Sequence, residues 1–507
     1  MSRVRSSTLS LPPARLFIGA GGLLLALVAA LIVIGAPEPF NLVLLPGIVL
    51  ATIVVLVPWT GPLALVLSIP VQEYHALSVG GISLTATKLA LAAAVAAFAI
   101  QIVSRRESLR GSVLLVPYFA FIGTMLISLR GAVDLNAGLA EIYRWTVTLI
   151  ALVLALYGIR QRTAIIATAV AMGFGVFFEG LLGVFQTVRD QGPASFAITS
   201  SISRAYGTFG KPNTFAAYFE LTGPLLAALA VWSLVKCVDL GRRYRVERVR
   251  GMAASTELRR ALLIHCALFL WFAGTSFISL LAIVASFSRG AWLGITAAAI
   301  AMLMLSDKRA ALVVGCGVVL VTLGLAAGGG SYAPTALRSR FDQLESQVRI
   351  FNSNNVLLTD DNFATVERMA HWQTGAAMFE AHPFTGVGIG NFNVRFPDFA
   401  VNPSFTVSEG HAHNYYINAA AETGIIGLAT YLWLIVTGLV VSLRATRKTL
   451  DPFARAIGIG AVGVTVALIV HNVVEDLHVL NLGVQLSVVW ALAIIVVRFL
   501  PAEAETA

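Results

Sequence analysis

Arg289, Arg368 and His413 are the side chains of this largely apolar sequence whose type and setting point most directly to chemistry. Arg289 stands in Ser288-Arg289-Gly290, between two apolar stretches with almost no loop between them. A guanidinium placed there is costly unless it faces protein or a water-filled cavity, and Gly290 allows a partner to come close. An anchor at the membrane edge is the other reading. Arg368 precedes Trp372 by one helical turn; it either meets a substrate or pairs at the surface with Glu367 or Glu380. His413 lies in His411-Ala412-His413-Asn414, which leads into Asn418 and Glu422. Asn414, Asn418 and Glu422 recur every four residues and make one polar stripe down a helix, lining a cavity or closing a structural network. Finally, Ser203 to Asn213, with Arg204, Lys211 and Asn213, forms a Gly- and Pro-rich turn before an apolar run. Such a turn at a helix N-terminus exposes backbone N–H groups that suit an anion, or else simply ends a loop.

Two guanidiniums can neutralise a departing diphosphate through bidentate hydrogen bonds in a pocket of low dielectric. An imidazole can take the proton of a hydroxyl as it attacks the carbon left behind. Direct attack of this kind inverts the configuration at that carbon and requires no metal. The paired carboxylates of a glycosidase are not recognisable, and Asp360-Asp361 reads as a solvated loop.

The elements that must position these groups are membrane helices. Hydrophobic residues make up 57% of the chain and charged residues 12%, with a mean hydropathy of +0.83, which excludes an ordinary soluble domain. Apolar runs long enough to cross about 30 Å of hydrocarbon are expected at 16–36, 82–103, 112–129, 141–159, 161–186, 214–237, 261–286, 291–306, 310–328, 414–442, 455–472 and 480–498. The pieces 40–57 and 61–71, broken by Pro46, Pro58, Pro62 and Pro70, form either two short spans or a hairpin that does not fully cross. The fold class is therefore all-α, a polytopic bundle of about 12–14 transmembrane helices with a large outer loop containing short helices. The first run, 16–36, ends at Gly35-Ala36-Pro37, where proline discourages cleavage, so it reads as a retained helix.

Positive charge orients the bundle. Arg3, Arg5, Arg15, Arg105, Arg106, Arg110, Arg160, Arg162, the run 236–260, Lys308, Arg309, Arg444, Arg447, Lys448 and Arg455 fall on one face, read as cytoplasmic together with both termini. The net charge of +9 then reflects topology and contact with membrane lipids rather than nucleic acid. Five segments follow: N-terminal transmembrane helices at 1–186, an outer loop at 187–213, central helices at 214–328, a large outer loop at 329–413 and C-terminal helices at 414–499. A helix is expected over 362–380, lying over the outer mouth of the bundle with Ala364, Met369, Trp372, Ala376 and Phe379 as its apolar rhythm. The glycine series from His382 to Phe392 reads as a shaped turn, since no strand precedes it. His471, Glu475 and Asp476, near the outer end of a late span, either extend the polar network or cap and solvate a helix end. Cys237, Cys266 and Cys316 all sit within or at the inner ends of spans, so neither an outer-face disulfide nor a Cys/His metal spacing is expected.

Between about 200 and 475, GTFGKPN before a span, SRGAW at a junction, ERMAHW and HPFTGVGIGNF in the large loop, and HAHN followed by ETGIIGL resemble the O-antigen ligase and polymerase superfamily. The resemblance implies transfer of a glycan from an undecaprenyl-diphosphate carrier to a glycan or lipid acceptor at the outer face of the bacterial plasma membrane, with no metal or other cofactor. It casts Arg289 and Arg368 as diphosphate-binding arginines and His413 as the base. Arg204, Lys211, Asn213, Trp372, Asn414, Asn418 and Glu422 are candidate substrate-binding residues around them. The first third of the chain has no comparable signature. A repeat-unit polymerase would use the same donor. A solute transporter or flippase, the alternative of another class, would place charged or helix-breaking residues near the bilayer midplane in matched halves.

Overall fold

A computed structural model describes residues 51–72, 77–79, 82–105, 111–199, 202–251, 255–307, 350–359, 362–408, 410–447 and 451–498. The expected spans 16–36 and 310–328 lie outside the described residues, as do Cys316 and most of 40–57. The described chain is an all-α polytopic membrane bundle. Its elements are α1 (Gly61–Ser68), α2 (Ala86–Arg105), α3 (Leu115–Ser128), α4 (Leu135–Gly158), α5 (Arg162–Val188), α6 (Pro212–Glu220), α7 (Gly223–Val249), α8 (Thr256–Ala285), α9 (Arg289–Ser306), α10 (Phe363–Ala381), α11 (Phe392–Phe399), α12 (Tyr415–Arg447), α13 (Pro452–His471) and α14 (Gly483–Arg498). Among the described residues, eight stretches are long and apolar enough to cross a membrane, and Leu115–Gly131 and Gly483–Arg498 are shorter apolar helices. These ten coincide with ten of the twelve expected spans. At eight residues, α1 is too short to cross, and its Leu65 and Val66 are fully buried in the bundle.

Two small antiparallel hairpins lie between helices, one in the expected outer loop 187–213 and one whose second strand takes the first residues of the span expected at 82–103, so that helix starts only at Ala86. Leu77–Val79 (β1) pairs with Ile82–Leu84 (β2), and Ala197–Thr199 (β3) with Ile202–Ser203 (β4). The second hairpin delivers Arg204 to the end of the bundle.

The centre is built by α13 and α14. Every residue of α14 from Gly483 to Val496 is buried, as expected of a helix apolar on all sides. Around this core α13 packs on α7, α9 and α12, α14 on α4, and α8 on α5 and α7. Along their lengths α7 and α8 are joined by a disulfide between Cys237 and Cys266, with Cα atoms 5.5 Å apart. The helix expected over 362–380 is present as α10, packed on α12. Val366, Met369, Ala370 and Met378 are buried on it, whereas Ala364 and Ala376 are exposed.

Two spans expected to be continuous are broken. The run 214–237 divides into α6 and α7, because Pro224 has no N–H to donate and its ring opposes the carbonyl of residue 220. In α12 the break is at Gly424, with φ 66° and ψ −169°. The shaped turn at 383–390 docks there: Ile425 N–H donates to the Pro383 carbonyl, and Val387 and Gly388 N–H donate to the carbonyls of Ala421 and Glu422. Asn391 completes the clamp, its Oδ1 accepting from Val133 and Asp134 N–H and its Nδ2 donating to the Asp134 carbonyl.

A side chain at 424 would bring a Cβ within 2.2 Å of the Phe384 carbonyl carbon. At Gly251, which also has positive φ, a Cβ would meet nothing within 4 Å. Gly424→Ala is therefore expected to cost about 1–3 kcal/mol beyond Gly251→Ala, read as a lower thermal midpoint of the purified protein in detergent.

Candidate functional site

The α8–α9 junction is as tight as the sequence suggests. The turn spans Ser286 to Ser288, Ser288 N–H donates to Ser286 Oγ, and Phe287 adopts φ 50°. Arg289 opens α9, whose N-cap Ser288 makes no side-chain capping bond. The first-turn N–H groups of α9 and its leading guanidinium thus share one end of the bundle, an arrangement that favours an anion.

That end holds a cavity of about 140 Å³ walled by Arg204, Asn213, Ser288, Arg289, Gly290, Arg368, His471 and Glu475, with Phe287, Ala364 and Val474. Four sequence-predicted residues therefore meet: Arg204, Asn213, Arg289 and Arg368. Three of them are arginines, against one lining carboxylate, Glu475. Arg204 donates from Nε to the Ser286 carbonyl and from a terminal nitrogen to Asn213 Oδ1, each at 2.9 Å. Arg368 reaches the cavity from α10, and its buried Nε has no hydrogen-bond partner. Arg368 therefore lines the cavity, where the charges of Glu475 and Glu367 act on it.

His413 stands beside this cavity and is linked to it through Glu475, its Nδ1 lying 3.2 Å from Oε1. The backbone holds the ring in place. His413 has φ 50°, its N–H donates to His411 Nδ1 at 3.1 Å, and its carbonyl accepts from Trp372 Nε1 at 3.3 Å. A non-glycine residue in the left-handed region is sparsely populated and is held there by its surroundings. Trp372 thus positions the histidine and does not line the cavity.

The polar stripe below His413 serves the fold. Asn414 Oδ1 accepts from the N–H groups of Tyr416 and Ile417, capping α12. Asn418 Oδ1 accepts from Ala412 N–H, its Nδ2 donates to Glu422 Oε2, and Glu422 Oε1 accepts from Phe392 N–H. Asn414, Asn418 and Glu422 are accordingly not lining residues, and the network reading of the stripe is the one realised. Lys211 is exposed at the N-cap of α6 and acts electrostatically on His411.

Glu475 ties the parts together. Beyond His413 it accepts from Asn213 Nδ2 and from Asp476 N–H, and His411 Nε2 lies 3.5 Å away. Burial alone would raise its carboxyl, but the charge and hydrogen bond of His413, with His411 and Arg368, hold it well below the usual carboxylate range. Burial, followed by the charges of Glu141 and Glu475, pushes Asp476 the other way, up to about 7. His411, His413 and Glu475 offer ligand atoms within 4.8 Å of one another, a spacing that can hold a divalent cation. The charges of Arg368 and Lys211 act on the same groups and oppose such an ion.

Sequence reasoning left Glu475 outside the predicted site and missed Glu220 altogether, although a carboxylate inside a membrane span is a functional signal in its own right. Glu220 Oε2 lies 2.5 Å from His471 Nδ1, with both side chains almost fully buried. Glu179 is also buried within α5, where it accepts from the N–H and hydroxyl of Thr208 and holds the GTFGKPN turn. A larger cavity of about 360 Å³ lies near Trp59, Gln101 and Arg160 and contains no histidine or carboxylate.

Burial lowers both His411 and His478 to about 3. The unfolded chain takes up these protons near the ordinary value of 6.5 and the folded chain does not, so these two histidines withdraw stability as pH drops through that window, opposite in sense to the raised carboxyl of Asp476. The difference in thermal midpoint between His478→Gln and wild type is expected to move in the variant's favour from about pH 7 to pH 5.

A search of curated proteins finds no match to this chain. Residues 274–432 match the family model described as O-antigen ligase. The matched stretch takes in the α8–α9 junction with Arg289, α10 with Arg368, His413 and the first part of α12, and over it the chain is similar to the O-antigen ligase family.

Proposed function

We propose that the protein transfers a glycan from a polyprenyl-diphosphate carrier, undecaprenyl diphosphate in bacteria, to an acceptor hydroxyl at the outer face of the plasma membrane. The observation that carries this reading is the convergence of Arg204, Arg289 and Arg368 with the uncapped N-terminus of α9 on one cavity, beside a histidine backed by a buried carboxylate. In the proposed reaction Arg289 and Arg368 bind the diphosphate and neutralise charge as the bond to the anomeric carbon breaks. Arg204 and Asn213 are already bonded to each other and shape the wall between that anion and Glu475.

Glu475 orients His413 through Nδ1, which leaves Nε2 as the nitrogen to take the acceptor proton. Attack from the face opposite the diphosphate inverts the anomeric centre in one step. Cationic side chains supply the electrostatic stabilisation that a metal would otherwise provide. An acceptor lipid makes the enzyme a ligase and a second carrier-linked glycan makes it a polymerase, with the donor half of the site unchanged.

In a reconstituted assay with a carrier-linked glycan donor, His413→Ala and Arg289→Ala are each expected to lower transfer by about 100-fold or more while both variants still insert in the membrane, and His413→Ala, which deprives the buried Glu475 of a partner, is expected to lower the thermal midpoint as well. Chelator is expected to leave the rate unchanged. Wild-type rates in either variant would refute the assignment. Lengthened chains on the carrier would identify a polymerase, and glycan on a new acceptor a ligase.

A further inference from the structure

His471 and Glu220 form a second histidine–carboxylate pair on the same cavity, contributed by different elements from His413 and Glu475. His471 is the last residue of α13 and only 1% exposed, with Nδ1 2.5 Å from Glu220 Oε2. The opposite edge of its ring lies against Gly290 at the cavity wall, where a Cβ would come within 2.4 Å of Cδ2 and 2.5 Å of Nε2. Glycine at 290 is thus what allows an imidazole edge to sit beside Arg289. Glu220 is fully buried, and its Oε1 has no hydrogen-bond partner. That oxygen faces Gly294, where a Cβ would come within 2.1 Å.

A buried carboxylate with one oxygen unsatisfied weakens a bundle that an apolar residue of similar volume would strengthen. Its other oxygen is directed at a histidine whose far edge reaches the proposed diphosphate site. From this geometry we infer that His471, backed by Glu220, is a general acid that protonates the departing phosphate oxygen while His413 takes the proton of the incoming hydroxyl. The inference rests on the transfer reaction proposed above and adds its second proton.

The step balances. A bond forms between the acceptor oxygen and the anomeric carbon, and the bond from that carbon to the phosphate oxygen breaks with its electron pair on phosphate. The acceptor proton goes to His413 Nε2, and the proton on His471 Nε2 goes to the phosphate oxygen. The carrier diphosphate then leaves with two negative charges rather than three. His413 ends the turnover protonated and His471 deprotonated, and exchange with water resets both. Charged groups around His471 come from every wall: Glu220 from α6, Arg289 from α9, Arg368 from α10, Arg204 after β4, and Glu475 from the loop after α13.

The test uses the full-length protein in lipid nanodiscs. The donor is carrier-linked glycan extracted from the membranes in which the protein is native, with acceptor lipid from the same source, and transfer is followed from about pH 5.5 to 9. Wild type is expected to show a bell-shaped profile. His471→Gln is expected to lose about 100-fold near neutrality and to lose the alkaline limb, while the acid limb remains. Glu220→Gln, whose side chain keeps its volume, is expected to shift the alkaline limb, and it provides the measurement if His471→Gln does not fold. An unmoved alkaline limb in both variants, or a loss by the same factor at every pH, would overturn the inference and assign the pair a structural role. Absence of transfer by wild type would instead refute the transferase reading itself.

Discussion

The carboxylate of Glu475 is buried to 5% exposure at one end of an apolar bundle, and a charge there is tolerable only if other groups neutralise it. It recruits the amide of Asn213 at the start of α6, the imidazoles of His411 and His413 ahead of α12, and the charge of Arg368 on α10. These groups are up to 262 residues apart in sequence. Satisfying one carboxylate therefore fixes where three separate elements begin or pass, and the positions it fixes are the walls of the cavity. Asn213 extends the chain of bonds to Arg204, and Arg204 extends it to the backbone between α8 and α9.

Helix breaks do the remaining positioning. Gly424 opens α12 so that the turn at 383–390 can dock on it, which places α10 and α11 against the bundle rather than leaving them as a free loop. Gly223-Pro224 ends α6 and leaves Glu220 at its last turn, level with His471. Both breaks lie inside stretches that are otherwise suited to cross a membrane without interruption. Regular α-helix would satisfy every backbone group there, so each departure has to be offset by specific contacts, and those contacts lead to the site.

The spans were legible in the sequence because lipid imposes a length and a composition that few other environments demand. The gathering of Arg204, Asn213, Arg289 and Arg368 was legible as well, since intramembrane or junctional arginines and a Gly-Pro-Asn turn have few structural uses. The Asn414, Asn418 and Glu422 stripe could not be resolved from spacing alone. Helical periodicity places three polar groups on one face but does not say whether that face meets a cavity or the backbone of Phe392 and Ala412. Trp372 was read as a substrate contact for the same reason, and its indole N–H is used on His413. Glu220 was passed over because it sat within an apolar run whose break at Pro224 was read as continuous helix. Its partner His471, more than 200 residues away, becomes apparent only when α13 is packed against α6.

The most direct test of the account is a structure of the full-length protein with undecaprenyl diphosphate bound. The diphosphate is expected in the cavity at the α8–α9 junction, within hydrogen-bonding reach of Arg289 and Arg368 and on the side of the bundle that carries His413. A diphosphate seated instead in the larger cavity beside Trp59 and Arg160, or one that leaves Arg289 and Arg368 untouched, would contradict it.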